Sequence, residues 1–374
     1  MLLSDFIRDG AARLETLYPS PEARGLVLML CRELLGETNY THIVEPQTAV
    51  PAGREGELSD ALRRLCAGEP VQYVLGVAEF CDRRFAVGPG VLIPRPETEL
   101  LVAEAVRTLR GMELDRAPQV LDLCTGSGCI TWTLALDLPG TKVVGVDLSE
   151  AALRYARSQF SPAPGGSGLA SGGQEKRPRS AAEMPFGGSG LAPGGQEKRP
   201  RFAAEMPFDG SGLAPGGQEK RPRSAAEMPS GGNPLPASGR HSGATCCHSG
   251  ADPESPVFLQ ADVLDTEQAF PYGPFDLIVS NPPYVMERER AEMRPNVLDW
   301  EPGMALFVPD GDPLRFYRAT ARWAQRFLRP GGVGIVEINE ALGPETAAVF
   351  REAGFRQVRE LPDLNKKIRF VRFS

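Results

Sequence analysis

The residues best suited to chemistry stand together as Ile278-Val279-Ser280-Asn281-Pro282-Pro283-Tyr284. An apolar run that ends in two prolines predicts a strand that stops abruptly. Proline fixes its own φ, lacks an N–H and keeps its predecessor out of the helical region. Backbone carbonyls are then left facing the crevice at the strand's C-terminal end, where ligands bind in open α/β sheets. The Asn281 side-chain oxygen and the Pro282 carbonyl can accept both hydrogens of an NH2 group, and Tyr284 can stack on its flat face. That suits a planar amide or amine nitrogen. An amide nitrogen is a poor nucleophile because its lone pair is delocalised. Holding both hydrogens opposes the delocalisation and aims the nitrogen, so positioning is the main contribution and no strong base is required. The plain alternative is a rigid loop at a strand end.

A second group lies upstream, at Leu121-Asp122-Leu123-Cys124-Thr125-Gly126-Ser127-Gly128-Cys129-Ile130. Glycines at a strand-to-helix junction let the backbone approach a ligand, and the helix start offers free N–H groups. The ligand can be a dinucleotide or S-adenosylmethionine. The third glycine of the dinucleotide fingerprint is missing, because Thr131 stands there. A tight turn without a ligand is the plain reading. Asp147 ends the next strand, about 20 residues on, where an acidic residue can accept from ribose hydroxyls or simply start a helix. Asp262-Val263 follows the third strand, where an adenine can be held; the signal there is weak.

These residues need a scaffold. Val120–Leu123, Lys142–Asp147, Val257–Gln260, Phe275–Val279 and Gly332–Ile338 read as buried strands. Cys129–Leu138 and about 312–329 and 342–353 read as helices, and 355–373 as a terminal strand pair. Strand–helix alternation predicts a doubly wound parallel sheet. Residues 1–70 have helical spacing, with Leu3, Phe6, Ile7 and Leu14 on one face and Leu58, Leu62 and Leu65 on another. Residues 71–92 look extended, hairpin-like, with a turn near Cys81-Asp82. Trp132, Trp300 and Trp323 are expected to pack. Arg95, Glu97 and Glu99 can be a solvated helix start. Glu301 receives no catalytic role.

The pattern is interrupted at 161–255, where 165–186, 187–208 and 209–230 are near-identical copies. Gly, Pro, Ser and charge dominate, so the segment is expected to be a disordered insertion in a loop. It carries the triplets Gly172-Gly173-Gln174, Gly194-Gly195-Gln196 and Gly216-Gly217-Gln218.

The chain has 374 residues and a formal net charge of -7. That balance argues against affinity built on many phosphate contacts, so no direct nucleic-acid partner is expected. Seven cysteines and three histidines lack zinc-ligand spacing, so no metal is expected. Reduced thiols suit a cytoplasmic location. No signal peptide and no membrane span are expected.

Taken together, the motifs resemble the PrmC/HemK family, the release-factor glutamine methyltransferases. Gly68-Glu69-Pro70-Val71-Gln72-Tyr73-Val74-Leu75-Gly76 is similar to that family's connector. Val91-Leu92-Ile93-Pro94-Arg95-Pro96-Glu97-Thr98-Glu99 is similar to its signature before the catalytic domain. The glycine motif, Asn281 to Tyr284 and Leu328-Arg329-Pro330-Gly331-Gly332 complete the series. The resemblance implies an α/β, seven-stranded, Rossmann-like class I methyltransferase domain at 93–374, preceded by a helical-bundle docking domain at 1–70. It implies S-adenosylmethionine as cofactor, held by Cys124, Thr125, Gly126, Ser127, Gly128, Asp147, Val263 and Asn281. It implies Asn281, Pro282, Pro283 and Tyr284 as catalytic and substrate-binding residues. The acceptor implied is the glutamine amide in the Gly-Gly-Gln motif of class I peptide chain release factors. A ribosomal protein glutamine, an adenine amino group of DNA or RNA, and a non-catalytic release-factor adapter are the alternatives. Cys124 departs from the glycine of many members; cofactor binding is expected to survive unless the position demands φ > 0.

Overall fold

A computed structural model describes residues 1–160 and 255–374. The three repeats, their Gly-Gly-Gln triplets and Cys246 and Cys247 lie outside the described residues, as does the expected disorder of the insertion.

The first body of structure is helical. Leu3, Phe6, Ile7, Ala11 and Leu14 fall on one face of the helix Leu3–Leu14. They pack with Val27 and Leu30 of the helix Ser20–Leu35 and with Leu58, Leu62 and Leu65 of Glu55–Cys66. This is the i, i+3, i+4 stripe that hides an apolar face in a bundle. Gly36, at φ 75°, ends the second helix in the left-handed conformation that favours glycine.

The stretch expected to be extended from residue 71 begins instead as a short helix, Val71–Leu75. Pro70 precedes its first residue, and Gly76 at φ 72° ends it. Val71, Val74 and Leu75 join the helical core, so burial overrides the β-branched valines' preference for strand. The hairpin follows, with Val77–Phe80 pairing antiparallel to Arg83–Ala86. Its two-residue turn has Cys81 at φ 49° and Asp82 at φ 58°. Two positive φ values define the turn whose twist matches the strands.

The main sheet has seven strands: β1 Gln119–Leu123, β2 Lys142–Asp147, β3 Val257–Gln260, β4 Phe275–Ser280, β5 Leu328–Glu337, β6 Val358–Pro362 and β7 Ile368–Phe373. Their order is β6-β7-β5-β4-β1-β2-β3. The parallel sheet expected from strand–helix alternation is present in the five strands β5-β4-β1-β2-β3, and the terminal strand pair adds an antiparallel edge. β7 runs antiparallel to both β5 and β6, because the terminal strands are joined by a short turn rather than a crossover helix. The remaining neighbours are parallel.

Both faces of the sheet are covered, which is why its strands read as continuous apolar runs. Val120, Leu277, Val279 and Ile335 point into one core, with Leu101, Ala105 and Trp132. Leu121, Leu123, Ile278 and Val336 point into the other, with Tyr317, Trp323 and Phe350. Trp132 Nε1 donates to the Ala156 carbonyl at 2.7 Å and Trp323 Nε1 to the Val263 carbonyl at 2.9 Å. Both are packing residues with a satisfied polar edge. Among the described residues no helix is long and apolar enough to cross a membrane.

Candidate active site at the strand ends

Register places the site. Leu123 of β1 lies beside Val146 of β2 and Ser280 of β4, and Ser280 lies beside Val336 of β5. One residue further on, the four neighbouring strand ends present Asp147, Cys124, Asn281 and Glu337. The parallel pairing therefore lines up residues far apart in sequence on the carboxyl edge of the sheet, the edge used for ligands in this architecture. Ser280 Oγ donates to the Leu123 carbonyl at 2.8 Å, tying the glycine loop's strand to the Asn-Pro-Pro-Tyr strand.

The glycine loop is built on Asp122. This carboxyl is fully buried, and Thr125 Oγ1 and Thr131 Oγ1 donate to its Oδ2 at 2.6 and 2.7 Å. Burial pushes its pKa up to about 7 against those two hydrogen bonds. Its Oδ1 finds no hydrogen-bond partner among the described residues. Asp122, together with Thr131, stood in the motif but was not singled out as a site residue; its only signal was a charge inside an apolar strand. The loop turns through Cys124 at φ 63°, Gly126 at φ 55° and Gly128 at φ 78°. A side chain on Gly126 would meet open space, so its backbone faces the crevice. A side chain on Gly128 would meet Ala156 and Phe258, so that glycine serves close packing of loop and helix. Cys124 thus occupies the left-handed region, the condition under which a non-glycine residue there is strained. Burial raises its thiol pKa well above the ordinary value, so it stays protonated.

Asp147 closes the loop from the next strand. Its Oδ2 accepts from the Gly126 N–H at 2.8 Å and its Oδ1 from the Ser149 N–H at 2.8 Å. Val263 is buried, with its carbonyl held by Trp323, and Asp262 Oδ1 accepts from the Leu264 N–H at 2.9 Å. Gly126 of the loop is bonded directly to Asp147, the Thr125 N–H donates to the Val146 carbonyl beside it at 2.9 Å, and Cys124 and Asn281 share the row of strand ends. A bond of Val263 to any of them is not among those described.

Asn281 is half-buried and Pro282 and Pro283 are buried. Asn281 Nδ2 donates to Thr98 Oγ1 at 3.0 Å, Thr98 Oγ1 donates to Glu337 Oε2 at 2.8 Å, and Tyr284 OH donates to Glu337 Oε1 at 3.0 Å. Burial pushes the Glu337 pKa up to about 7, against those two hydroxyl donors. Thr98 and Glu337 were missed. Thr98 lay inside the Arg-Pro-Glu-Thr-Glu signature, and Glu337 was the one charge within the run Gly332–Ile338. Arg95 and Glu99 of the signature tie segments together, while Glu97 is an exposed helix-start carboxylate. Arg95 pairs with the buried Glu301 at 2.7 Å, Glu301 also accepts from the Ile93 N–H at 3.1 Å, and Glu99 accepts from the Cys81 N–H at 3.1 Å. Proline at the first position and Glu97 and Glu99 in the first turn start the helix Pro96–Arg110 that carries Thr98.

A seven-stranded sheet in this order, with an antiparallel last strand and a glycine loop ending its first strand, defines a class I methyltransferase domain. Residues 5–76 match the PrmC N-terminal domain. A release factor glutamine methyltransferase from Bacteroides thetaiotaomicron is 32% identical over 358 residues, covering 96% of this chain and 95% of that protein. One from Chlorobaculum tepidum is 31% identical over 309 residues, covering 82% and 74%. The crystal structure of a release factor-specific protein-(glutamine-N5) methyltransferase from Alicyclobacillus acidocaldarius aligns with a TM-score of 0.33 and 23% identity, covering 77% of this chain and 98% of that one. The chain belongs to the release factor glutamine methyltransferase family.

Proposed function

We propose that the chain transfers a methyl group from S-adenosylmethionine to the side-chain amide nitrogen of the glutamine in the Gly-Gly-Gln motif of class I peptide chain release factors. The observation that carries this is the row of strand ends, which sets Asn281 beside the glycine loop and Asp147 in a chain of this family.

The residues fit the cofactor. Gly126 leaves a cradle that a side chain would fill, and Asp147 keeps unused acceptor positions on both oxygens. Cys124, Thr125, Gly126, Ser127 and Gly128 would hold its amino-acid end, Asp147 its ribose, and Val263 its ring. When bound, the cofactor supplies an electrophilic methyl on a good leaving group. The protein's part is orientation. Asn281 Oδ1 and the Pro282 carbonyl, which accepts no hydrogen bond among the described residues, would take the two amide hydrogens. Tyr284, anchored by its hydroxyl, would cover the flat face. Fixing a neutral nitrogen this way removes the entropy of alignment from the barrier.

The N-terminal helical domain is proposed to dock the release factor; its exposed Tyr40, Ile43 and Val44 offer an apolar contact. A cytoplasmic location belongs to the same proposal, supported by the five free cysteines among the described residues. The test is transfer of labelled methyl to a purified release factor. Label is expected on the wild-type acceptor and none after the acceptor glutamine is replaced. Label on a DNA substrate or a ribosomal protein instead would overturn the substrate.

A further inference from the structure

Glu337 is buried at the end of a central strand, and its hydrogen-bond partners among the described residues are two hydroxyls, Thr98 and Tyr284. Burying a carboxyl this way is costly, and stability alone does not account for it. Hydrogen counting shows what it does. Above about pH 7 the carboxyl is ionised and only accepts, while a threonine hydroxyl has one hydrogen to give. Thr98 gives that hydrogen to Glu337, so only its lone pairs remain for Asn281. The Asn281 amide must then turn its NH2 toward Thr98, as the 3.0 Å contact shows, and its Oδ1 away.

We propose that Glu337 and Thr98 are positioning residues that fix which end of the Asn281 amide faces the acceptor, and so make the site select an NH2 donor. This rests on the function proposed above and names its filter. An oxygen-only presentation from Asn281 satisfies a primary amide. It meets the carboxylate of a glutamate in the same place with acceptor against acceptor, which leaves both unpaired and costs affinity. The same carboxyl holds the Tyr284 hydroxyl, so one buried group orients both the hydrogen-bonding and the stacking side of the pocket. Neither positioning residue needs to touch the acceptor.

The experiment uses the full chain with Thr98→Val, Thr98→Ser and Glu337→Gln. Methyl transfer to a purified release factor gives kcat and KM, calorimetry gives the cofactor Kd, and the side-chain amide resonance of Asn281, assigned by its loss in N281D, gives hydrogen-exchange protection. Thr98→Val is expected to lower kcat at least about tenfold, equivalent to about 1.4 kcal/mol, with cofactor Kd unchanged and the Asn281 amide deprotected. Thr98→Ser, which keeps the hydroxyl, is expected to restore both. Glu337→Gln can donate to Thr98 and free its hydrogen for Asn281 Oδ1, so the amide resonance is expected to shift and kcat to fall even if Thr98→Val does not fold. A release factor carrying glutamate at the acceptor position is expected to inhibit wild type less than it inhibits Thr98→Val. Wild-type kcat in Thr98→Val, or equal loss in the valine and serine variants, overturns the proposal. If wild type transfers no methyl to release factor, the proposed function fails, and the Asn281 resonance still decides the orientation.

Discussion

The Asp147 carboxylate accepts from the Gly126 N–H at 2.8 Å, joining the end of β2 to the loop that follows β1. Its other oxygen takes the Ser149 N–H, so the side chain organises the loop and the next helix start at once. Burial raises its pKa, and the backbone donors Ser149, Gly126 and Leu148 hold the rise in check. Asp147→Asn sets an NH2 against one of two backbone N–H groups. We expect the Kd for S-adenosylmethionine to rise about 30-fold, the cost of roughly 2 kcal/mol for a mispaired buried group. Titration calorimetry with unchanged affinity would remove Asp147 from the cofactor site.

Cys124 sits at φ 63°. The left-handed region costs an L-residue roughly 1–2 kcal/mol, and glycine gives back about 0.4–1 kcal/mol of that through the freer unfolded chain. Cys124→Gly should therefore leave the melting temperature unchanged or slightly raised, with cofactor affinity intact. Cys124→Val adds a β-branch to the same conformation and should lower stability by about 2 kcal/mol or more. Equal melting temperatures for the two variants would show that backbone strain is not what distinguishes this position.

Removing the Asn281 side chain takes away an acceptor and leaves Asp147 and the glycine loop untouched. Asn281→Ala should keep most cofactor affinity and lose turnover by about 10²–10³-fold, the scale for one preorganised polar group aimed at a reacting centre. Unchanged turnover would sink the mechanism proposed here.

Much of this site was legible because strand ends announce themselves. Prolines stop β4 at Ser280, glycines stop β1 at Leu123, and Asp147 ends an apolar run. What could not be read was the lateral dimension. Nothing local says that Thr98, on a helix before the sheet, meets Glu337, far downstream, over Asn281; parallel pairing sets Asn281 beside Glu337, and packing of the helix on the sheet brings Thr98 to both. The helix at Val71–Leu75 was missed for a related reason. Its valines favour strands locally, but the bundle core takes them as a helical turn. The antiparallel β7 follows from a connection too short for a crossover, a constraint on chain length rather than on residue type.

Two buried carboxyls tie stability to pH. Asp122 and Glu337 each have a native pKa near 7, raised by burial from ordinary values of 3.8 and 4.5. The native state therefore binds more protons than the unfolded chain in between. Their contribution is most favourable below the unfolded values and is lost as pH rises toward about 7. Urea unfolding should show Asp122→Asn or Glu337→Gln flattening that decline by up to about 1.4 kcal/mol per pH unit for each group. Parallel curves for wild type and variants across this window would mean that the carboxyls are already ionised in the native state.

Gly334 in β5 is paired with Phe373 in β7, and a side chain on it would meet that ring at 2.0–2.5 Å. The ring has nowhere to retreat. Phe350 stacks on it at 3.9 Å between centroids, and Phe355 leans on it at 4.7 Å. Gly334→Ala must therefore shift a packed aromatic cluster on one face of the sheet, which costs about 1–3 kcal/mol for overpacking. Strand propensity alone argues the other way, since alanine loses less entropy than glycine on folding. The control is Gly25→Ala in the helix Ser20–Leu35, where a side chain meets nothing within 4 Å. There the same change should stabilise by about 0.5–1 kcal/mol. Gly334→Ala combined with Phe373→Leu should lose less than the sum of the two single changes, because the smaller side chain vacates the space the methyl needs. Additive losses in denaturant titration would show that the ring does not hold the glycine in place.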